Sequence, residues 1–349
     1  MIVRFLIISI LTILVVNKSL AIEGIILWAP SSTRMSKEFR RVPVTVDYFY
    51  HFRKIGFNGI ALRAMVGYNS HKICKSIALP DKPLVNYMMI NKKYNIPWAK
   101  KAGFKFIFLY YAFFNYHKPC GLRWDDDKSW YEEAVHLSLL AKFAKELQLT
   151  GIAIDLEEYA EGPLFYSDLR YQNKKLIKKI AEKRGKQLIK AIINEYPDIV
   201  ILFYPNYLSQ YKKRPLWHHF FKGFTSVKFP GEIHLADQKF YWLFTKKNPK
   251  RAILKQWQET NMLLRKWGSN NIYIAPGCEL INEYYKNRLY NTDRRRLEEY
   301  LKALSKLKNI KFIWIDGYFD NLWLYPKNQV DKLKIELLGK YLKTEEKLQ

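Results

Sequence analysis

Three carboxylates crowd the end of one apolar run. In Leu149-Thr150-Gly151-Ile152-Ala153-Ile154-Asp155-Leu156-Glu157-Glu158-Tyr159, a β-branched stretch gives way to Asp155, Glu157 and Glu158 within four residues. Two carboxyl groups close enough to perturb each other can divide into one protonated acid and one ionised base, as general acid–base chemistry requires. Strand side chains alternate, so Asp155 and Glu157 share one side and Glu158 takes the other. The same acids would also suit the first turn of a helix, where they only satisfy the dipole. Asp155 still belongs to the apolar run, which favours the catalytic reading.

The elements that must hold these groups follow a regular rhythm. Apolar runs bounded by turn residues predict strands at 23–30, 60–62, 103–111, 149–159, 198–204, 232–237, 271–277 and 311–317. Helical spacing predicts helices over 36–55, 85–101, 129–147, 168–196, 249–267, 292–307 and 329–342. Ser129-Trp130-Tyr131-Glu132 reads as a capping box, and Gly56-Phe57-Asn58-Gly59 as a helix-to-strand turn. The segment 212–241 carries no clear helical pattern before its strand. Alternating strands and helices over this length predict an α/β protein, a (β/α)8 TIM barrel in a single domain spanning 22–345. An open doubly wound sheet would need a phosphate-binding glycine turn after its first strand, and Trp28-Ala29-Pro30-Ser31 has none.

In such a barrel the strand ends share one mouth. Here they bring Trp28, Arg63, Tyr110 and Tyr111, Asp155 with Glu157, Tyr204 with Asn206, His234 with Asp237, Glu279, and Asp316 with Asp320. Aromatic faces stack on sugar rings while carboxylates and amides bind hydroxyls. Cleaving a glycosidic bond needs one protonated and one ionised carboxyl across it. The catalytic set expected is therefore Glu157, Asp155 and Glu279, with the other strand-end residues binding substrate. No His/Cys/Asp cluster has metal-ligand spacing and no phosphate loop is present, so neither a metal nor a cofactor is expected. His234 would as readily be a hydrogen-bonded structural histidine. Trp124, Trp217 and Trp323 would more readily be packing than sugar platforms. The aspartates 125–127 suit helix capping better than a cation.

The fourth-strand stretch Gly151-Ile152-Ala153-Ile154-Asp155-Leu156-Glu157 resembles the Asp-Gly-x-Asp-x-Asp-x-Glu signature of chitinase-type (family 18) glycoside hydrolases. On that match Asp155 stands at the last aspartate and Glu157 at the catalytic acid, and Trp314 looks like the tryptophan flooring the sugar pocket. Thr150 and Ala153 replace the first two aspartates, and Leu156 the usual tryptophan before the acid. The resemblance implies an exported sugar-processing barrel. Its layout is also similar to the wider retaining-glycosidase clan, which pairs acids from strands four and seven; Glu279 would then partner Glu157. Otherwise the substrate's own acetamido group attacks, steadied by Asp155. A non-catalytic carbohydrate-binding or envelope-assembly protein is the rival from another class, and a metal-dependent polysaccharide deacetylase would need a His/Asp cluster.

Composition bounds the rest. At 49% hydrophobic and 16% aromatic residues, the chain can bury a large core. Residues 1–21 read as a signal peptide: a positive start at Arg4, an apolar stretch over 5–16 too short to span a bilayer, and Ser19-Leu20-Ala21 before the cut. That places the protein in the cell envelope or outside the cell, with no stable membrane span. The formal charge of +27 reads first as a Lys-rich compositional bias; it would also suit an acidic sugar held by Arg63, but no nucleic-acid motif accompanies it. The basic run 174–190 reads as a solvated helix face. Of Cys74, Cys120 and Cys278, the first two both follow predicted strands and form the expected disulfide.

Overall fold

In a computed structural model the chain is described over 22–29, 46–54, 56–66, 88–112, 123–156, 168–169, 171–206, 214–237, 240, 243, 246–266, 271–279, 281–282, 290–291, 294–308 and 310–316. Eight parallel strands close into a barrel, each hydrogen-bonded to the next around the ring: β1 Gly24–Ala29, β2 Gly59–Val66, β3 Phe106–Ala112, β4 Gly151–Asp155, β5 Val200–Asn206, β6 Glu232–Asp237, β7 Ile272–Glu279 and β8 Phe312–Asp316. The predicted (β/α)8 barrel is present. Between the strands lie α1 Val46–Lys54, α2 Ile96–Lys101, α3 Asp127–Glu146, α4 Lys174–Glu195, α5 Pro215–Thr225, α6 Pro249–Lys266 and α7 Arg294–Leu304. Two two-residue strands, Ile281–Asn282 and Tyr290–Asn291, pair antiparallel beyond β7. The predicted signal peptide, Cys74, Cys120, Trp323 and the predicted last helix lie outside the described residues.

Two apolar layers build the fold. The larger lies between the strands' outer faces and the helices, around residues such as Ile152, Ile154, Ile201, Phe203, Leu235 and Ile313. The smaller fills the barrel with Ile26, Phe108, Tyr110, Leu202, Tyr204, Phe312 and Trp314. Inside the barrel, large rings sit across from small residues on the neighbouring strand: Phe106 from Gly59, Phe108 from Gly151, Tyr110 from Ala153, Trp314 from Gly277. This large-to-small matching lets eight strands close on a solid interior. A Cβ at Gly277 would stand 2.1 Å from the Trp314 ring, and one at Gly151 1.8 Å from the Val200 carbonyl oxygen, so neither position accepts a side chain.

Local chemistry places the helices, with several departures from expectation. Asp126, and not Ser129, caps α3, accepting bonds from the backbone N–H and hydroxyl of Ser129. The capping-box reading chose the third residue of the helix over its cap. Asp125 takes Arg123 and Asp127 takes Arg184, so all three aspartates serve the start of α3. Arg184 corrects the reading of α4 as a wholly solvated basic face. It is 2% exposed and also donates to the Trp124 carbonyl. Trp124 is itself buried, stacked on Trp130 at 5.0 Å, and Trp217 is buried on Phe220, which makes both of them packing residues. The helix α5 fills the stretch that had no legible pattern.

The N-terminal end of the barrel is closed by charge. The two Glu232 carboxylate oxygens accept from Lys311 Nζ and, at 2.9 Å, from His234 Nε2, while the ammonium also lies 4.6 Å from the Tyr273 ring centre. Burial would raise the Glu232 carboxyl, but the bonds from His234 and Lys311 outweigh it and hold the group down at about 2. Burial lowers the His234 pKa further than Glu232 raises it, so the ring is neutral and Nε2 carries the donated hydrogen. A carboxyl depressed on folding stabilises the fold above its unfolded value and loses that contribution as pH falls through its folded one. Acid unfolding is therefore expected to steepen between about pH 4.5 and pH 2. Glu232→Gln should flatten that limb in a pH series of urea melts and cost about 1–3 kcal/mol near neutrality.

Candidate active site

The apolar run of β4 ends on a held carboxylate. Asp155 is 5% exposed, and the Tyr110 hydroxyl donates to its Oδ2 at 2.5 Å. Tyr110 lies on β3 and is 1% exposed, so two neighbouring strands clamp this acid at the C-terminal end of the barrel. On the other side Asp155 is in register with Tyr204 of β5, whose carbonyl accepts the Leu156 N–H at 2.7 Å and so carries the strand on to its last described residue. The Tyr204 ring stands edge-on to Trp314 of β8, with centroids 4.4 Å apart. Asp155, Tyr110, Tyr204 and Trp314, four residues of the predicted site, thus form one connected patch across the top of the barrel interior.

The remaining strand-end positions fall where the backbone register brings them together. Trp28 of β1 pairs with Asp316 of β8, and Asp316 with Glu279 of β7, in one row across three strands. Arg63 of β2 pairs with Tyr110, and Asn206 of β5 with Asp237 of β6. The side chains of Trp28, Asn206, Asp237, Glu279 and Asp316, and the whole of Glu157 and Asp320, lie outside the described residues.

Three expectations change with burial. His234 is not a mouth residue: it is 0% exposed, stacks on Tyr273 at 4.9 Å and turns its ring nitrogen to Glu232. It sits low in the barrel because its strand position is two residues below Ala236, and the sequence carries no mark of that depth. Trp314 is also 0% exposed, so it braces the site from within the barrel and presents no open face for a sugar ring. Tyr110, expected to bind substrate, is wholly engaged inside the barrel and positions Asp155.

Sequence reasoning passed over Asn91 and Asn95. Both are 1% exposed; Asn91 Nδ2 donates to the Arg63 carbonyl at 2.9 Å, and Asn95 Nδ2 donates to Asn91 Oδ1 at 2.7 Å. Their spacing of four on a helix was the available signal. Another buried pair, Tyr111 donating to Glu133, links β3 to α3 on the outer side of the barrel. Among the described residues, no group of three His, Cys, Asp or Glu side chains could hold a metal ion.

The Tyr110 hydroxyl is the contact whose loss is easiest to isolate. Tyr110→Phe keeps the ring that packs on the barrel interior and deletes only the donor to Asp155. Removing one donor from a buried carboxylate costs about 1–3 kcal/mol. The melting temperature of Tyr110→Phe should fall accordingly, and less after Asp155→Asn is added, since the two changes remove one interaction.

No protein-family model matches the sequence, and no curated protein matches it. Solved structures resemble the fold across nearly the whole chain. A glycoside hydrolase family 5 enzyme from Prevotella bryantii superposes with a TM-score of 0.58 at 10% identity, covering 93% of this chain and 96% of that one. A broad-specificity endoglucanase from Clostridium longisporum gives 0.59 at 10% identity over 92% and 96%. A family 5 xyloglucanase from Paenibacillus pabuli gives 0.57 at 10% identity over 93% and 98%. The chain is a closed (β/α)8 barrel of the architecture that those glycoside hydrolases share.

Proposed function

We propose that this protein hydrolyses a glycosidic bond in a poly- or oligosaccharide by carboxylate chemistry at the C-terminal mouth of its barrel. The observation that carries the reading is Asp155: an acid held by Tyr110 at the end of β4, two positions before Glu157. In this reading Glu157 donates the proton to the leaving oxygen, and Glu279, at the end of β7, attacks or activates water from across the bond. Asp155 sits beside the acid and fixes the strand end from which it projects. Arg63, Trp28, Tyr204, Asn206, Asp237 and Asp316 supply the surrounding substrate contacts, and Arg63 would meet a carboxylate where the sugar is acidic.

Two mechanisms answer to these residues. The substrate-assisted route implied by the family 18 resemblance leaves Glu279 without a task. Several of the structures that resemble the fold are titled as family 5 glycoside hydrolases, a xyloglucanase among them, and others as β-1,4-glucanase and β-1,4-galactanases. That company supports a β-linked glycan. Among the described residues no helix is long and apolar enough to cross a membrane. The signal-like residues 1–21 support export, which sequencing the amino terminus of the mature protein would check.

The test is a panel of β-1,4-glucan, xyloglucan, β-1,4-galactan and acidic and N-acetylated oligosaccharides, read by release of reducing ends. Cleavage of at least one of them is the expected result. Binding without cleavage by the unaltered protein would instead make this a carbohydrate-binding barrel.

A further inference from the structure

Strand β2 does not run evenly into the mouth. Arg63 is in register with Tyr110 of β3 and Met65 with Tyr111, so two steps of β2 meet one step of β3 and Ala64 is the extra residue. Bulges of this kind are uncommon between parallel strands, and they re-aim the side chains beside them. This one falls next to the residue that holds Asp155.

A bulge removes a residue from the ladder, so the backbone groups beside it need other partners. Here the Arg63 carbonyl accepts from Asn91 Nδ2 at 2.9 Å. Asn91 begins a single π-helical turn, Asn91–Asn95, ahead of α2. The Asn95 amide donates to Asn91 Oδ1, which leaves the Asn91 amide nitrogen, and not its oxygen, to face the Arg63 carbonyl. Both side chains are buried, so water does not compete for either bond. An inserted turn in a helix, an inserted residue in a strand and a two-amide clasp between them meet at a single carbonyl.

We infer that Asn91, oriented by Asn95, is a positioning residue that fixes the β2 bulge and thereby the direction of Arg63 at the barrel mouth. This rests on the mouth being the working end, as proposed above. Arg63 would touch substrate; Asn91 acts only through it. A guanidinium held in one direction recognises a planar or anionic group better than a wandering one, because less freedom is lost on binding.

The test compares Asn91→Ala and Asn91→Asp, which removes the donor but keeps the shape, with the unaltered chain and with Arg63→Lys. The Nε–Hε resonance of Arg63 is identified in 15N-arginine-labelled protein by its loss in Arg63→Lys. Its hydrogen exchange, and that of the Ala64 amide, should accelerate at least about tenfold in both Asn91 variants while exchange at Ile201 of β5 stays unchanged. On whichever glycan of the panel is cleaved, both variants should raise KM several-fold with kcat held. Equal acceleration at Ile201 would make the clasp a general stabiliser and overturn the inference, as would unchanged exchange at Arg63 and Ala64. Were the unaltered protein to cleave nothing on the panel, the hydrolase reading would fail while the exchange data would still decide whether the clasp fixes the bulge.

Discussion

Glu157→Gln is expected to lower turnover of the cleaved glycan by about 10²–10⁴-fold while leaving its binding nearly unchanged. The amide keeps the size and hydrogen-bonding reach of the carboxyl but has no proton to give. A residue whose interaction is made only in the transition state lowers kcat and kcat/KM together and leaves affinity alone. Asp155→Asn should do less to turnover and more to stability, because Asp155 is buried against Tyr110 and its loss perturbs the strand end as a whole. Steady-state kinetics with isothermal titration on the two variants separates these effects. Equal turnover in Glu157→Gln and the unaltered protein would make Glu157 structural.

The largest stability effect is expected far from that chemistry, between α4 and α5. Gly185 and Gly223 let the two helices approach backbone to backbone. A Cβ at Gly185 would stand 1.9 Å from the Phe220 carbonyl oxygen, and one at Gly223 1.9 Å from that of Glu182. No rotamer relieves a clash of Cβ with backbone, so the helices must separate and loosen the packing around Phe220, Phe221 and Phe224. Gly185→Ala should cost about 2–3 kcal/mol despite the better helix propensity of alanine. Gly223→Ala should cost a similar amount, and the double variant less than the two costs added together, since one separation relieves both clashes. Thermal melts followed by circular dichroism check this. Melting temperatures equal to that of the unaltered protein would mean that the helices stand further apart.

The barrel was legible because its signals are local. Each strand announces itself as a β-branched or aromatic run between turn residues, although β2 continues to Val66, four residues past its predicted end at Leu62. Asp155, Tyr110, Tyr204 and Arg63 all lie in the C-terminal halves of their strands. His234, the third residue of β6, lies near the start of its strand, and the register row Arg63–Tyr110–Ala153–Leu202–His234 descends to it because the strands of a closed barrel are tilted. Helix α5 was missed although Leu216, Trp217, Phe220, Phe221 and Phe224 recur at helical spacing opposite His218, His219 and Lys222; it is short, rich in aromatic residues and lacks a side-chain cap at Arg214. The cap of α3 was misassigned because Asp126 and Ser129 both carry capping oxygens, and only geometry distinguishes the cap from its partner. Asn91 and Asn95 carried no chemical signature, because an amide that satisfies a bulged strand looks like any other buried amide.

The central claim is that two carboxyl groups, Glu157 after β4 and Glu279 ending β7, face each other across a sugar-binding cleft. The most direct measurement is a crystal structure of the Glu157→Gln variant soaked with cellotetraose. The account predicts the oligosaccharide lying across the mouth, with the residue-157 and Glu279 side-chain ends on either side of one glycosidic oxygen, roughly 5–5.5 Å apart in a retaining enzyme or roughly 6.5–9.5 Å apart in an inverting one. Residue 157 directed into bulk solvent, or tied into an ion pair with no hollow beside it, would contradict the account.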